Sequence, residues 1–278
     1  QVLRPAAQQG DLHVETNDLP HDFRYRYSLR IIGPPDCTDH RRSSLQTTVT
    51  TAPALAEICA RLSAQPRIGL DTEFLRERTY HARLCLVQLA APDEAACVDP
   101  LALTELAPLA ALLAAPGALK VMHASRQDLE VLYPLAGLTR PVFDTQVAAA
   151  LAGFPAQVGY AELARRLLRR ELAKSHTRTD WSRRPLSREQ IEYALDDVRY
   201  LLPIAAELEA RLARLGRLAW LTEELDALAA FVRASIAAGV PAAATGGPVT
   251  GLIMSLGAGF YEELAFRAIL FGLGAKLL

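Results

Sequence analysis

The sequence carries almost no charge imbalance: its formal net charge is −1. That excludes a globally basic nucleic-acid binder and leaves open only a local basic face. Cysteine is scarce. The four cysteines, at positions 37, 59, 85 and 97, make no C-x-x-C pair, so neither a zinc knuckle nor a redox motif is present. No stretch reads as a secretory signal, and no internal repeat is found. Together these absences predict a reducing, cytoplasmic setting. What is present is apolar material: 51% of the 278 residues are hydrophobic and 22% charged. That suffices for one large domain or two small ones around a packed core.

Residues 1–45 mix Pro, Asp, His and Arg without periodicity, and their "GPPD" and "DHRRSS" are turn or disorder chemistry. The chain opens on Gln1 rather than Met. This segment is therefore expected to be a poorly ordered extension, or sequence upstream of the natural start. From Gln46 the pattern changes. "APALAEICARLSAQ" has helical spacing, and "RIGLDTEF", "RLCLVQLAA" and "ACVDP" read as strands. "LTELAPLAALLAA" is helical, "ALKVMHA" a strand, and "SRQDLEVLYPLAG" a helix capped by Ser125. "PVFDTQVAAALAG" starts extended and turns helical. The rest reads as long helices, including one continuous helix through "SREQIEYALDDVRYLLPIAAELEARLARLG". This order predicts a mixed α/β sheet with helices on both faces. The expected divisions are 46–225 for the main domain, 226–245 for a helix end and linker, and 246–278 for an apolar tail.

Within "RIGLDTEFLRER", Asp71 and Glu73 follow an apolar run. Alternate residues of a strand share a face, so the two carboxylates lie together, roughly 7 Å apart by strand rise. Like charges on a half-buried face repel and are costly to desolvate, and a hard divalent cation removes both penalties. Two solvated acids on an exposed strand edge are the plain alternative. Asp128 falls in the first turn after another strand. Tyr193 and Asp197 are four apart on one helix face, with Cβ atoms about 5–6 Å apart. Asp196, next to Asp197, points elsewhere and reads as a solvated acid.

The order of these residues resembles the DEDD exonuclease superfamily in its tyrosine branch, and the surrounding words resemble ribonuclease D. Those words are "DTEFLRERTYHARLCLVQLA", "VMHASRQDLEVL", "FDTQVAAALAG" and "KSHTRTDWSRRPLSREQIEYALDDVRYLLPI". The histidine branch has His five residues before the last Asp, where this chain has Glu192. The resemblance implies an RNase H-like (DnaQ-like) mixed sheet flanked by helices, with a helical C-terminal extension. It also implies 3'→5' removal of nucleotides from RNA 3' ends, with transfer RNA precursors as the typical substrate. Asp71, Glu73, Asp128 and Asp197 would hold two divalent cations, Mg²⁺ or Mn²⁺, and Tyr193 would orient the attacking water. Asp144 either supports that site or caps the helix after it, with the cap favoured. A non-catalytic RNA-binding module is the competing reading, and the fully occupied acid positions count against it.

Residues 165–188, "RRLLRRELAKSHTRTDWSRRPLSR", hold a dense basic run. A charge run is usually a solvated helix face. Its place before the Tyr193 helix favours a phosphate track instead, with Lys174 and Arg184 as the contacts. Trp181 either stacks on a base or anchors the loop. The helicase-type RNA-binding domains usual in the family leave no trace. Residues 246–278 are instead strongly apolar, and "GAGFYEELAFR" resembles the first motif of intramembrane metalloproteases related to CAAX-processing enzymes. The other motifs of that family are missing, so a fusion or fragment is the expected account. Membrane association would come only through this tail. Its Glu262, Glu263 and Arg267 would each cost about 2.5–3.5 kcal/mol at a bilayer centre.

Overall fold

A computed structural model of the chain describes residues 47–75, 82–172 and 179–237. The apolar strands assemble one six-stranded mixed sheet in the order β1-β4-β3-β2-β5-β6. They are β1 (Thr47–Val49), β2 (Arg67–Leu75), β3 (Arg83–Ala91), β4 (Glu94–Val98), β5 (Leu119–Met122) and β6 (Val142–Asp144). β2 lies in the middle, antiparallel to β3 and parallel to β5. Alternation along β3 sends Val87 and Leu89 to one core and Leu86 and Ala90 to the other face. Both faces are thus covered by helices, as expected.

One face carries α1 (Ala52–Ser63), α2 (Ala107–Ala114) and α3 (Arg126–Ala136). The other carries α4 (Thr145–Leu151), α5 (Tyr160–Leu168), α6 (Arg188–Arg199) and α7 (Leu201–Arg214). α8 (Leu218–Ala237) runs straight through the boundary expected at 225 and buries Leu228 and Val232 in the first core. Among the described residues no helix is long and apolar enough to cross a membrane. The readings made for residues 1–45 and for the metalloprotease-like tail 246–278 lie outside the described residues.

Three local features differ from the sequence expectation. The single long helix is two, α6 and α7, broken at Tyr200 (φ −105°, ψ 1°). Pro203 explains the break, because it has no N–H to offer the carbonyl of Arg199 four residues back. Ser125 starts α3 but makes no side-chain cap bond there; its hydroxyl donates to Asp144 instead, at 2.9 Å. Lys120 is the third. It is fully buried in β5, and its ammonium donates to the carbonyls of Ala115 and Arg140, each at 2.6 Å. Ala115 closes α2, so the amine also meets the negative end of that helix.

Candidate metal centre

The first two acids owe their common direction to the regular part of β2. Asp71 pairs with Gln88 and Glu73 with Leu86, and the register then slips, because Phe74 faces Leu84 and Cys85 is the extra residue. The bulge falls immediately after Glu73, so the alternation that aligns Asp71 and Glu73 is kept. Bulges of this kind recur beside active sites.

Asp128 sits in the first turn of α3 and is buried. Thr72, between the two strand acids, donates its hydroxyl to Asp128 Oδ1. The turn before Asp128 is held by Asp144, which accepts from the N–H groups of Ala124 and Ser125 at 3.1 and 2.7 Å. The same carboxylate caps α4 through the N–H groups of Gln146 and Val147. Asp144 therefore caps α4, the role favoured for it, and also holds the turn that precedes Asp128.

Tyr193 and Asp197 come from α6, whose start is fixed by a capping box. Ser187 Oγ accepts from the Gln190 N–H, and Gln190 Oε1 accepts from the Ser187 N–H. The helix crosses β2, β3 and β4. It approaches β2 so closely that a Cβ on Gly69 would stand 3.1 Å from the Val198 carbonyl oxygen. A side chain there would require the helix backbone to give by a few tenths of an ångström. Asp196 points away from the acids and pairs with Arg199 at 2.6 Å.

Asp71 and Glu73 feel the charges of the other two acids. Burial pushes Asp71 well above the carboxylate range, and the charges of Asp128, Asp197 and Glu73 push it further. Burial, then Asp197 and Asp128, raise Glu73 to about 8. Burial raises Asp128 and Asp197 to about 7 each. The Tyr193 phenol, pushed up to about 12 by burial and then by Asp197, Glu73 and Asp71, keeps its proton at neutral pH. Among the described residues no three side chains close on one point as a finished ligand set. As a donor set the four acids are all oxygen and all carboxylate, which fits hard divalent cations and no soft metal.

The other expected site residues fall differently. Arg184 is not available to a phosphate. A guanidinium has five N–H donors, and here all five are used inside the protein. Two go to the Asp99 carboxylate at 2.6 and 2.7 Å, and three to the carbonyls of Trp181, Arg183 and Cys85. Arg184 thus ties its own loop to the end of β4 and to the bulge of β3. Trp181 anchors the loop rather than meeting a base. It is 5% exposed, in a cluster with Cys85, Leu86, Cys97, Ala194 and Leu195, and its ring centroid is 6.3 Å from that of Tyr193. Lys174 lies outside the described residues. Within the basic run, Arg165 and Arg166 share the single carboxylate of Glu162.

Burial alone would raise the Asp99 carboxyl, but Arg184 outweighs it and holds the group below the usual range. Removing one partner of such a pair strands the other charge. Arg184→Ala is expected to cost about 3–5 kcal/mol of stability, measured by urea unfolding. A loss of RNA affinity with stability intact would instead restore the phosphate role.

Sequence reasoning missed Thr72, Tyr160 and the Asp99–Arg184 pair. Thr72 was hidden because strand alternation turns it away from Asp71 and Glu73. Asp99 and Arg184 are 85 residues apart, and no local pattern joins them.

Known proteins resemble this chain in sequence and fold. Residues 46–213 match the model of a 3'-5' exonuclease family. Ribonuclease D of Jannaschia sp. is 52% identical over 187 residues, covering 65% of this chain and 48% of that protein. The crystal structure of Escherichia coli RNase D, described as an exoribonuclease involved in structured RNA processing, superposes with a TM-score of 0.66 at 40% identity. It covers 68% of this chain and 51% of that one. Brucella melitensis NrnC with bound Mg²⁺ is 29% identical with a TM-score of 0.56, covering 63% of this chain and 87% of that one. The chain spans about half the length of the curated relatives it matches.

Proposed function

Because this chain belongs to the 3'-5' exonuclease family, we propose that it is a metal-dependent exoribonuclease that releases nucleotides from RNA 3' ends by phosphodiester hydrolysis. The observation that supports this reading is that Asp71 and Glu73 are raised by burial and by the charges of Asp128 and Asp197, with Tyr193 raised by three of the same acids. Transfer RNA precursors are the substrates it would trim, by likeness to ribonuclease D.

Asp71, Glu73, Asp128 and Asp197 would hold two divalent cations, Mg²⁺ or Mn²⁺. When bound, such ions activate water and offset the charge that builds on the phosphate during in-line displacement. Everything else falls to the chain. β2 and the first turn of α3 hold three acids on rigid backbone, and α6 brings the fourth. Thr72 and Asp144 orient Asp128 and its turn. Tyr193 presents a neutral hydroxyl beside the carboxylates, where it would position the attacking water. Trp181 backs the Tyr193 ring and limits its movement.

RNA would approach past the loop before α6. With Arg184 occupied and Arg165 and Arg166 paired, the phosphate contacts pass to Arg183 and Arg188, both exposed at that loop. Contacts of this kind bind backbone and do not read sequence.

The test is the full chain incubated with Mg²⁺ or Mn²⁺ and a 3'-tailed RNA. Stepwise shortening from the 3' end is the expected result; no release of nucleotides refutes the reading. Tyr193→Phe is expected to lower kcat about 10²-fold, the scale of a misplaced reactant. Mn²⁺ affinity should stay unchanged by calorimetry, since the hydroxyl serves water rather than the ions.

A further inference from the structure

We infer that Tyr160 is a positioning residue for Asp197, acting through the broken backbone between α6 and α7. The inference rests on the metal-site reading above.

At the break, the Tyr200 N–H should donate to the Asp196 carbonyl, four residues back. It turns instead to the Val198 carbonyl and to a side chain. The Tyr160 hydroxyl stands between that N–H and the Asp196 carbonyl, accepting from the first at 3.1 Å and donating to the second at 2.9 Å. One phenol thus replaces one rung of the helix. Insertion of a side chain into the ladder is a recognised cause of kinks. Here the spliced rung spans Asp197 itself.

The other side of the same backbone is fixed independently. The Val198 carbonyl, one residue beyond Asp197, lies close over Gly69, two residues before Asp71. Asp197 is therefore flanked by two held carbonyls. Asp196 C=O is tied to Tyr160, and Val198 C=O is seated on the strand that carries Asp71 and Glu73.

Tyr160 is itself held in place. Its ring centroid lies 5.9 Å from that of His123. The Thr145 hydroxyl donates to the Met122 carbonyl at 3.0 Å, so the 2.9 Å contact with His123 Nδ1 has the imidazole as donor. A continuous series of contacts thus runs from the end of β5, through Thr145, His123 and Tyr160, to the backbone of Asp197. Asp128 follows that same strand end. The phenol couples the height of the fourth acid to the elements carrying the other three.

A merely structural hydroxyl would stabilise the fold and leave ion affinity alone. The experiment separates the two by titrating the full chain with Mn²⁺ in a calorimeter. Four proteins are compared: the unchanged chain, Tyr160→Phe, Asp197→Asn and the double variant. Tyr160→Phe is expected to weaken Mn²⁺ binding about tenfold or more. In the Asp197→Asn background the same change should add nothing, because the residue it positions is gone. Affinity within twofold of the unchanged chain overturns the inference, and so do penalties that simply add. Should Tyr160→Phe lose its helical circular dichroism, Gly69→Ala displaces the same backbone from the opposite side and is judged by the same criteria. No Mn²⁺ binding by the unchanged chain would refute the metal-site reading itself, a different outcome from an insensitive Tyr160.

Discussion

Asp71→Asn is expected to abolish nucleotide release, lowering kcat by about 10³-fold or more, while the protein survives heating in chelator as well as or better than the unchanged chain. The activity half follows from ion catalysis, which supplies several kcal/mol of charge stabilisation, each 1.4 kcal/mol being about tenfold in rate. The stability half is less intuitive. Asp71 is destabilised by burial and by three neighbouring carboxylates. An amide keeps its shape and removes one like charge from the group. Release assays on a 3'-tailed RNA, and thermal melts in EDTA, read the two halves separately. Activity within tenfold of the unchanged chain would remove Asp71 from the ion site. A lower melting temperature in EDTA would mean that the carboxylate is paired in a way its surroundings do not show.

The second large effect is a pH dependence that divalent ions reverse. An acid whose folded pKa lies above its unfolded value favours folding when protonated. That advantage is complete below the ordinary carboxylate range, near pH 4, and is lost as pH rises through the folded value. Asp128 and Asp197 lie at about 7 and Glu73 at about 8. The metal-free protein should therefore lose stability between roughly pH 4 and pH 8. Asp99 works in the opposite direction, since its folded pKa is depressed and its pairing with Arg184 is lost only in acid. Ion binding requires the deprotonated carboxylates, so Mn²⁺ affinity should climb across the window in which the free protein weakens. At a hundredfold excess over its Kd, an ion adds about 2.7 kcal/mol, or several degrees in melting temperature. Melts at pH 5.5, 7 and 8.5, with Mn²⁺ and with EDTA, give the measurement. Coincident curves at every pH would contradict a shared ion site.

The four acids proposed as metal ligands could be picked out in the sequence because each rides on a short, strongly patterned element. "DTE" on a strand and Y-x-x-x-D on a helix fix relative direction within a few residues, and local periodicity is enough to read them. Asp144 was half legible: its cap follows from "FDTQ", but its hold on Ala124 and Ser125 joins segments 19 and 20 residues apart. The Arg184 assignment failed for the same reason at longer range. Counting arginines gives local charge, but cannot show that a carboxylate 85 residues earlier and three carbonyls already use every donor. Pro203 carried a readable break signal, yet the apolar spacing continues across it and the helix read as whole. Nothing in the local pattern of "VGYAEL" marks Tyr160 as the residue that would mend that break.

Lys120 has a further use, as an internal reporter. It is the one lysine among the described residues and is fully buried, its amine engaged by two carbonyls. Burial lowers its pKa to about 8, a shift that lasts only while the core is closed. An amine-directed label therefore cannot mark this residue until the core around β5 opens. The rate at which the label appears on the peptide containing Lys120 gives the opening frequency of the sheet, without any engineered probe.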